Sequence, residues 1–267
     1  MKLVAVVRTP ERAEEAAQAL AEAAGVAPAE ARLRLAPEPP ALLARLEPSR
    51  ADALAASLRK AGVAVLALDA AVPKDEHRTV ARTVSFDADG FTFTPRGGNP
   101  VGIPSGEVLG ILRASRSSRV DTERTEKSRE LSWTRSLSTG VPMTRTVTKT
   151  VHASDEQVEQ VVFVLARDGR EVALAEREVD FSCLGPGMQP SSTANMAELA
   201  RRLREGARAA FYDERLLRLG RRPLPFLGGG EWRSQTPTAT TVRTDTAGSL
   251  DVLLEAMRQA LLAGLLP

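Results

Sequence analysis

Apolar and polar positions at the start of the chain follow strand and helix periods in turn. The apolar run Leu3–Val7 is typical of a buried strand. Thr9 and Pro10 then suit a helix N-cap and a first-turn proline, and Gly25 suits the position after a helix. The pattern predicts one strand followed by one helix up to Gly25.

Four further elements are predicted in the next stretch. Pro28 opens a short helix, which the sequence PEPP ends because proline has no amide hydrogen to donate. Ala41–Leu46 suits a strand, Ser49 caps a helix over Ala51–Ala61, and Val63–Leu68 suits a last strand. The order β-α-α-β-α-β predicts a small domain over residues 1–70, in which three strands are backed by helices.

After residue 75 the chain changes to strand-like alternation of Val, Thr and Phe. The pairs Asp89-Gly90, Thr139-Gly140 and Asp168-Gly169 suit hairpin turns between such strands. A helical pattern capped at Thr193 follows them. We therefore predict an α+β protein, in which residues 76–220 form a mostly antiparallel, seven-stranded, β-barrel-like domain with a long C-terminal helix.

The last part of the chain divides into a predicted linker and a predicted helix. Residues 221–248 mix Pro, Gly, Thr and Ser, which is typical of a linker. Residues 249–267 carry an apolar stripe at helical spacing. Such a stripe must be covered by the chain's own domains, by a second copy or by a partner. The residues predicted for a partner contact are Leu253, Leu254, Met257 and Leu261.

Composition narrows the class of protein. Lys and Arg number 36 and Asp and Glu 34, so no overall field draws the molecule to nucleic acid or anionic lipid, and nucleic-acid binding is disfavoured. The single cysteine excludes an internal disulfide and fits a reducing compartment. No apolar run approaches the roughly 18 residues of a membrane-spanning helix. We expect a cytoplasmic protein.

No catalytic constellation, cofactor motif or metal site is predicted from the residues. The only histidines are His77, in the connector, and His152, at a strand end. Nothing in the sequence places either histidine beside Cys183 or a serine nucleophile. An enzyme with an unrecognised site stays an alternative, which would require His152 and Cys183 to meet in a cleft.

Two segments of the first domain carry a resemblance to a known family. The sequences AAGVAPAEAR at 23–32 and PSRADALAASLRKAGVAVLAL at 48–68 resemble the C-terminal domain of the bacterial ribosomal stalk protein, whose fold the Clp protease adaptor shares. Glu30 and Arg32 keep the family's pattern on the partner-binding helices, whereas Ala29 replaces its first lysine. The resemblance implies the fold and a surface for a protein partner, not a ribosomal role.

The second domain is similar in its predicted order to the pleckstrin-homology-like superfold, seven strands followed by one helix. That resemblance implies binding of phosphoinositides, peptides or proteins without choosing among them. A basic segment at 113–135, which we expect to be a loop, and a basic helix face are the surfaces that could take phosphate groups. Their candidate contact residues are Arg116, Arg119, Arg124 and Trp133 on the segment, and Arg201, Arg204 and Arg208 on the helix.

The sequence thus predicts a non-enzymatic adaptor or scaffold that acts by protein–protein binding. A peripheral membrane or phosphate-ligand-binding module, using the basic segment 113–135, is the first alternative. A homo-oligomer formed through the C-terminal helix is also left open.

Overall fold

The computed structural model describes residues 1–131, 144–227, 231–236 and 239–267. The fold is α+β, as predicted, with 34% helix and 38% strand. It contains a small three-stranded sheet and a curled, mixed, nine-stranded sheet that forms a half-barrel.

The small sheet has the order β2-β1-β3 and is antiparallel throughout. Its helices pack on one face, where Val4, Leu20, Leu43 and Leu58 are buried together. The predicted order of elements is confirmed, and Gly25 ends the first helix at a φ of 66°. The elements are β1 (Lys2–Val6), α1 (Ala13–Ala24), α2 (Pro28–Leu35), β2 (Ala41–Leu46), α3 (Pro48–Lys60) and β3 (Val65–Asp69).

Two helix starts in the small unit differ from their predictions. Helix α1 begins at Ala13 after Arg12, so Thr9 is not its N-cap. Helix α3 begins at Pro48, which takes the first helical position ahead of the predicted cap Ser49. Neither start has a side-chain cap, and packing of the apolar face against the sheet stabilises both helices.

The nine-stranded sheet has the order β11-β12-β7-β8-β9-β4-β5-β6, and β10 pairs with β7 beside this path. The hairpin turns predicted at Asp89-Gly90 and Asp168-Gly169 are confirmed. The strands are β4 (Thr79–Phe86), β5 (Gly90–Pro95), β6 (Val101–Pro104), β7 (Val108–Leu131), β8 (Thr144–Ala166), β9 (Glu171–Ala175), β10 (Phe211–Asp213), β11 (Glu231–Gln235) and β12 (Ala239–Asp245).

Three predictions for this region are wrong. The basic segment is not a loop, because its described part belongs to β7. The predicted linker 221–248 contains β11 and β12, so its strands extend the predicted seven to nine. The predicted long helix divides into α4 (Ser192–Gly206), β10 and α5 (Leu216–Leu219), because Phe211–Asp213 pairs in parallel with Gly110–Leu112 of β7.

Helices cover both faces of the large sheet. On one face α4 buries Met196, Leu199 and Leu203 against strand residues such as Phe93 and Ile111. The opposite face meets the last helix, α6 (Ala247–Leu262).

Helix α6 also contacts the small sheet. A single cluster joins Leu3 and Leu68 of the small sheet, Leu253 of α6, and Leu112 and Phe163 of the large sheet. The terminal helix therefore docks within its own chain, and the two predicted domains share a core through it.

Candidate functional site

The longest feature of the molecule is the hairpin formed by β7 and β8. The strands pair from Val108 opposite Ala166 to Leu131 opposite Thr144. At about 3.3 Å per residue, a strand of this length spans about 80 Å. We call its outer part, residues 116–131 and 144–160, the arm.

In the part of the chain that the structure describes, neighbouring strands support the arm on one side only. Strand β12 pairs with β7 over Ser118–Arg124, and β11 pairs with β12. On the other side, β9 pairs with β8 only over Val161–Leu165. Within the described ranges, β8 therefore has no neighbouring strand beside residues 148–158 other than β7. We call residues 148–158 the β8 edge.

The backbone groups of the β8 edge that point outward can be assigned. The Gln160 oxygen accepts from the Glu176 amide at 2.9 Å, and the Gln160 amide donates to the Glu176 carboxylate at 3.0 Å. Successive residues of a strand point their N–H and C=O groups to opposite sides. Counting back in twos, the outward residues are Thr148, Thr150, His152, Ser154, Glu156 and Val158.

The side chains of the β8 edge alternate between apolar, hydroxyl and charged groups. Val151 and Val158 are each 37% exposed, and Lys149, Asp155 and Glu156 are exposed as well. An exposed edge with open N–H and C=O groups is a template for pairing with another strand.

One face of the arm carries a shallow cleft of about 440 Å³ with charged residues in its lining. Hydrogen bonds from Ser154 and then Arg119 lower the pKa of Asp121 in this cleft. The Arg119 Nε lies 2.9 Å from an Asp121 oxygen. Charges of both signs line the cleft, so it presents no uniform field to a ligand. The lining includes Arg119, Asp121, Glu123, His152, Ser154 and Arg233.

A buried ion-pair network holds the base of the arm. The Arg78 side chain is 1% exposed, and its guanidinium donates to Glu171 at 2.8 Å and to Asp251 at 2.5 Å. Burial raises the pKa of Asp251, against the opposing effect of Arg78. Arg116 joins Asp75 at 2.6 Å to Glu159 at 2.8 Å. The connector, α6 and the arm are thereby tied together.

A second polar cluster lies where β10 meets β7. The Arg113 guanidinium donates to Glu214 at 2.9 Å, and the Tyr212 hydroxyl donates to the same carboxylate. Burial, followed by the hydrogen bond with Glu214, raises the pKa of Tyr212 to about 12. The phenol is therefore a neutral donor at physiological pH, and the cluster positions β10.

The contact residues predicted on α2 are exposed and paired within the chain. Arg32 lies 2.5 Å from the Glu14 carboxylate, and Glu30 lies 2.6 Å from the Arg34 guanidinium. Glu30 and Arg32 do not lie on the arm, and they do not line the cleft that the arm carries.

The predicted basic residues of the second unit are spread over different surroundings. Arg116 belongs to the buried network, Arg119 pairs with Asp121, and Arg124 lies at the last pair between β7 and β12. Trp133 lies outside the described residues. The basic segment is thus partly neutralised by acids of the connector, of β8 and of the segment itself.

The basic face predicted on the long helix is matched by acids only in part. Arg201 pairs with Glu198 and Glu205, and hydrogen bonds from Arg201 and then Arg202 lower the pKa of Glu198 to about 2. Arg204 stacks its guanidinium 4.5 Å from the centre of the Tyr212 ring. Arg208 is exposed.

The partner contacts predicted on the last helix are corrected by the structure. Leu253, Leu254 and Met257 are buried in the core that α6 shares with both sheets, so a partner or a second copy cannot reach them in this fold. Leu261 is partly buried against the same core.

The residues considered for catalysis lie in separate places. His152 is on β8 opposite Glu123, whereas Cys183 packs beside the core under α4. Burial raises the pKa of the Cys183 thiol, which makes it a weaker nucleophile at neutral pH. The described ranges contain no group of three His, Cys, Asp or Glu side chains placed to hold a metal ion.

The β8 edge and strands β11 and β12 are the features that sequence reasoning missed. The alternation of Thr with Val at 146–151 is a strand signal, but nothing local shows that one side of the strand lacks a neighbour. Among the described residues, no helix combines the length and apolar character needed to cross a membrane.

Comparison with known proteins identifies no relative. No protein-family model matches the chain, and no curated protein or solved structure is significantly similar to it. The resemblances to the ribosomal stalk and pleckstrin-homology-like folds therefore stay predictions.

Proposed function

We propose that this protein is a cytoplasmic, non-enzymatic adaptor or scaffold that binds an extended segment of a protein partner at the β8 edge. The bound segment adds to the large sheet as a further strand beside β8. Strand addition is a common mode of peptide recognition, in which main-chain hydrogen bonds supply affinity and alternate side chains supply specificity.

The observation that carries this proposal is that, among the described residues, β7 is the only strand that pairs with β8 beside residues 148–158. The outward N–H and C=O groups of the β8 edge repeat at every second residue, as a pairing strand requires. Each added main-chain hydrogen bond contributes about 1 kcal/mol net. The ion pairs of Arg116 at the base of the arm hold β8 in place before a partner arrives.

The side chains define the kind of segment that fits. Val151 and Val158 offer exposed apolar surface. Residues an even number apart share a face of a strand, so Lys149, Val151 and Asp155 lie on one face of β8 and Val158 lies on the other. A segment that alternates apolar residues with charges of both signs fits this edge.

The test removes one outward amide and keeps the fold. Ser154→Pro deletes an outward N–H without breaking a β7–β8 hydrogen bond, and Ser154→Ala is the matched control, since both variants lose the hydroxyl contact with Asp121. The measurement is which proteins are cross-linked to the arm of each variant in the native host. We expect the wild type and Ser154→Ala to be cross-linked to the same partner proteins, and Ser154→Pro to be cross-linked to none of them.

Circular dichroism and thermal unfolding must show that Ser154→Pro stays folded. Equal capture by a folded Ser154→Pro protein would contradict strand addition at this edge.

A further inference from the structure

We propose that the strand added at the β8 edge is β8 of a second copy of this chain. The two strands run antiparallel about a two-fold axis at His152. This inference rests on the proposed function and names the partner of the same edge. Two arms joined in this way would form one continuous sheet across the dimer.

The phase of the hydrogen bonds allows this pairing. In an antiparallel pair, the residues that exchange hydrogen bonds must both point their backbone groups at the other strand. Centring the axis on His152 places Thr148 opposite Glu156, Thr150 opposite Ser154 and His152 opposite itself. All of these residues are outward, so every facing pair of outward residues within 148–156 exchanges both of its hydrogen bonds.

The charges select the same register. With the axis at His152, Lys149 lies opposite Asp155 of the second copy, and the symmetry makes this ion pair twice. Lys149 and Asp155 fall between the hydrogen-bonded pairs, where cross-strand side chains approach closest. The edge is therefore complementary to itself in sign.

Two neighbouring registers also place outward residues opposite outward residues, but neither places Lys149 opposite Asp155. Moving the axis to residue 151 places Lys149 opposite Ala153, and moving it to residue 153 places Lys149 opposite Gln157. The His152 register also places Val151 opposite Ala153, which covers part of the exposed valine surface. No like charges within 148–156 face each other in this register.

The occupant is a second copy because the edge supplies both halves of the complementarity. An interface whose residues match themselves about a two-fold axis is the pattern of isologous homodimers. A pairing of about nine residues per strand buries less surface than a permanent dimer does. We therefore expect a reversible dimer whose population rises with concentration.

The test is a charge-reversal exchange followed by sedimentation equilibrium of the full chain over a concentration series. Lys149→Glu places a glutamate opposite Asp155 twice, and Asp155→Lys places a new lysine opposite Lys149 twice. We expect each variant alone to weaken the dimer about tenfold or more. An equimolar mixture of the two variants restores complementary charges at both positions and is expected to dimerise as the wild type does.

Lys60→Glu is the matched control, since it makes the same charge change at an exposed position at the end of α3. This control is expected to dimerise as the wild type does. Ser154→Pro is expected to abolish the dimer, and Ser154→Ala to preserve it.

Three results would overturn the inference. They are a wild-type protein that stays monomeric at the highest soluble concentration, a dimer population that the single charge reversals do not change, and a mixture of the two variants that does not dimerise as the wild type does. A monomeric wild type whose capture of other proteins is still lost in Ser154→Pro would leave the proposed function standing. A monomer that captures the same proteins with and without Ser154→Pro would remove both.

Discussion

Arg78 is the residue at which several parts of the structure meet. Its guanidinium lies 5.4 Å from the centre of the Phe163 ring and donates to Glu171 and Asp251. The burial of Arg78 opposes its charge, but the hydrogen bonds with Asp251 and Glu171 outweigh it and raise its pKa. Such a buried charge is compensated only while its partners stay in place.

Replacing Arg78 tests this dependence. Arg78→Ala leaves Asp251 buried without its hydrogen-bonded counter-ion and leaves Glu171 paired with Arg258 alone. We expect the free energy of unfolding to fall by about 3–5 kcal/mol in urea titrations at about pH 7. Arg32→Ala, which breaks an exposed pair, is the control and is expected to change nothing measurable. An equal effect of the two substitutions would contradict a structural role for the buried network.

The same variant has an expected pH dependence. Burial already raises the pKa of Asp251, and loss of Arg78 raises it further, so the folded variant binds a proton more tightly than the unfolded chain does. The folded state of the variant then gains stability as pH falls and loses it as pH rises through the raised pKa. The difference in the free energy of unfolding between the wild type and Arg78→Ala should therefore become smaller as the pH is lowered from about 7 to about 4.

At the scale of elements, α6 differs from an ordinary amphipathic surface helix. Its apolar residues contact both sheets, and its acids Asp251 and Glu255 are buried as well, where Arg78 and Arg258 pair with them. The helix thus has almost no solvent-facing side over its first three turns.

Core truncation in α6 is expected to be costly. Leu254 is 0% exposed, and Leu254→Ala should lower the free energy of unfolding by about 2–5 kcal/mol, the range for a cavity in a packed core. Leu262, which is 52% exposed in the same helix, provides the control, and Leu262→Ala should change it by about 0.5 kcal/mol or less. Urea unfolding followed by circular dichroism measures both values, and similar losses would argue against the central position of α6.

At the scale of the whole molecule, the two sheets are joined by one cluster of buried residues. Leu66 and Leu68 of the small sheet share that cluster with Leu109 and Leu165 of the large sheet, through α6. Because the core is shared, unfolding of the small-sheet unit would expose the apolar face of the large-sheet unit to water, and the reverse is also true.

We therefore expect one cooperative thermal transition for the whole chain in differential scanning calorimetry. Removal of residues 247–267 should abolish that transition for both units, because each sheet loses the helix that covers it. Two separate transitions in the intact chain, or a small unit that keeps its own transition after the removal, would show that the units are independent.

Local signals were sufficient where they act within a few residues. The element order of the first unit follows from the apolar runs and from glycines such as Gly25, whose φ of 66° suits a residue without a side chain. The amphipathic pattern of α6 was likewise sufficient for the existence of that helix.

Only the outer end of the arm was predicted, from the hairpin signal at Thr139-Gly140, a turn that lies outside the described residues, and the rest of the arm could not be predicted in this way. Its residues are polar on both faces, so the burial contrast that marks an ordinary strand is missing, and the described part of segment 113–135 has the composition of a loop. Only its pairing with β8 and β12 makes it a strand. Among the described residues, the outer side of β8 lacks a neighbouring strand because β9 pairs only with Val161–Leu165 of β8. The length of β9 depends on its own residues, so the sequence of β8 cannot report it.

The sequence alone determined the fold class, the order of elements in the first unit and the presence of an amphipathic last helix, because these depend on neighbouring residues. The tertiary structure decided what covers that helix and which charges meet. Arg78 finds Glu171 and Asp251 at separations of 93 and 173 residues, and no local pattern can report such a contact. The physical reason is that burial and ion pairing are set by distance in space, whereas periodicity records only distance along the chain.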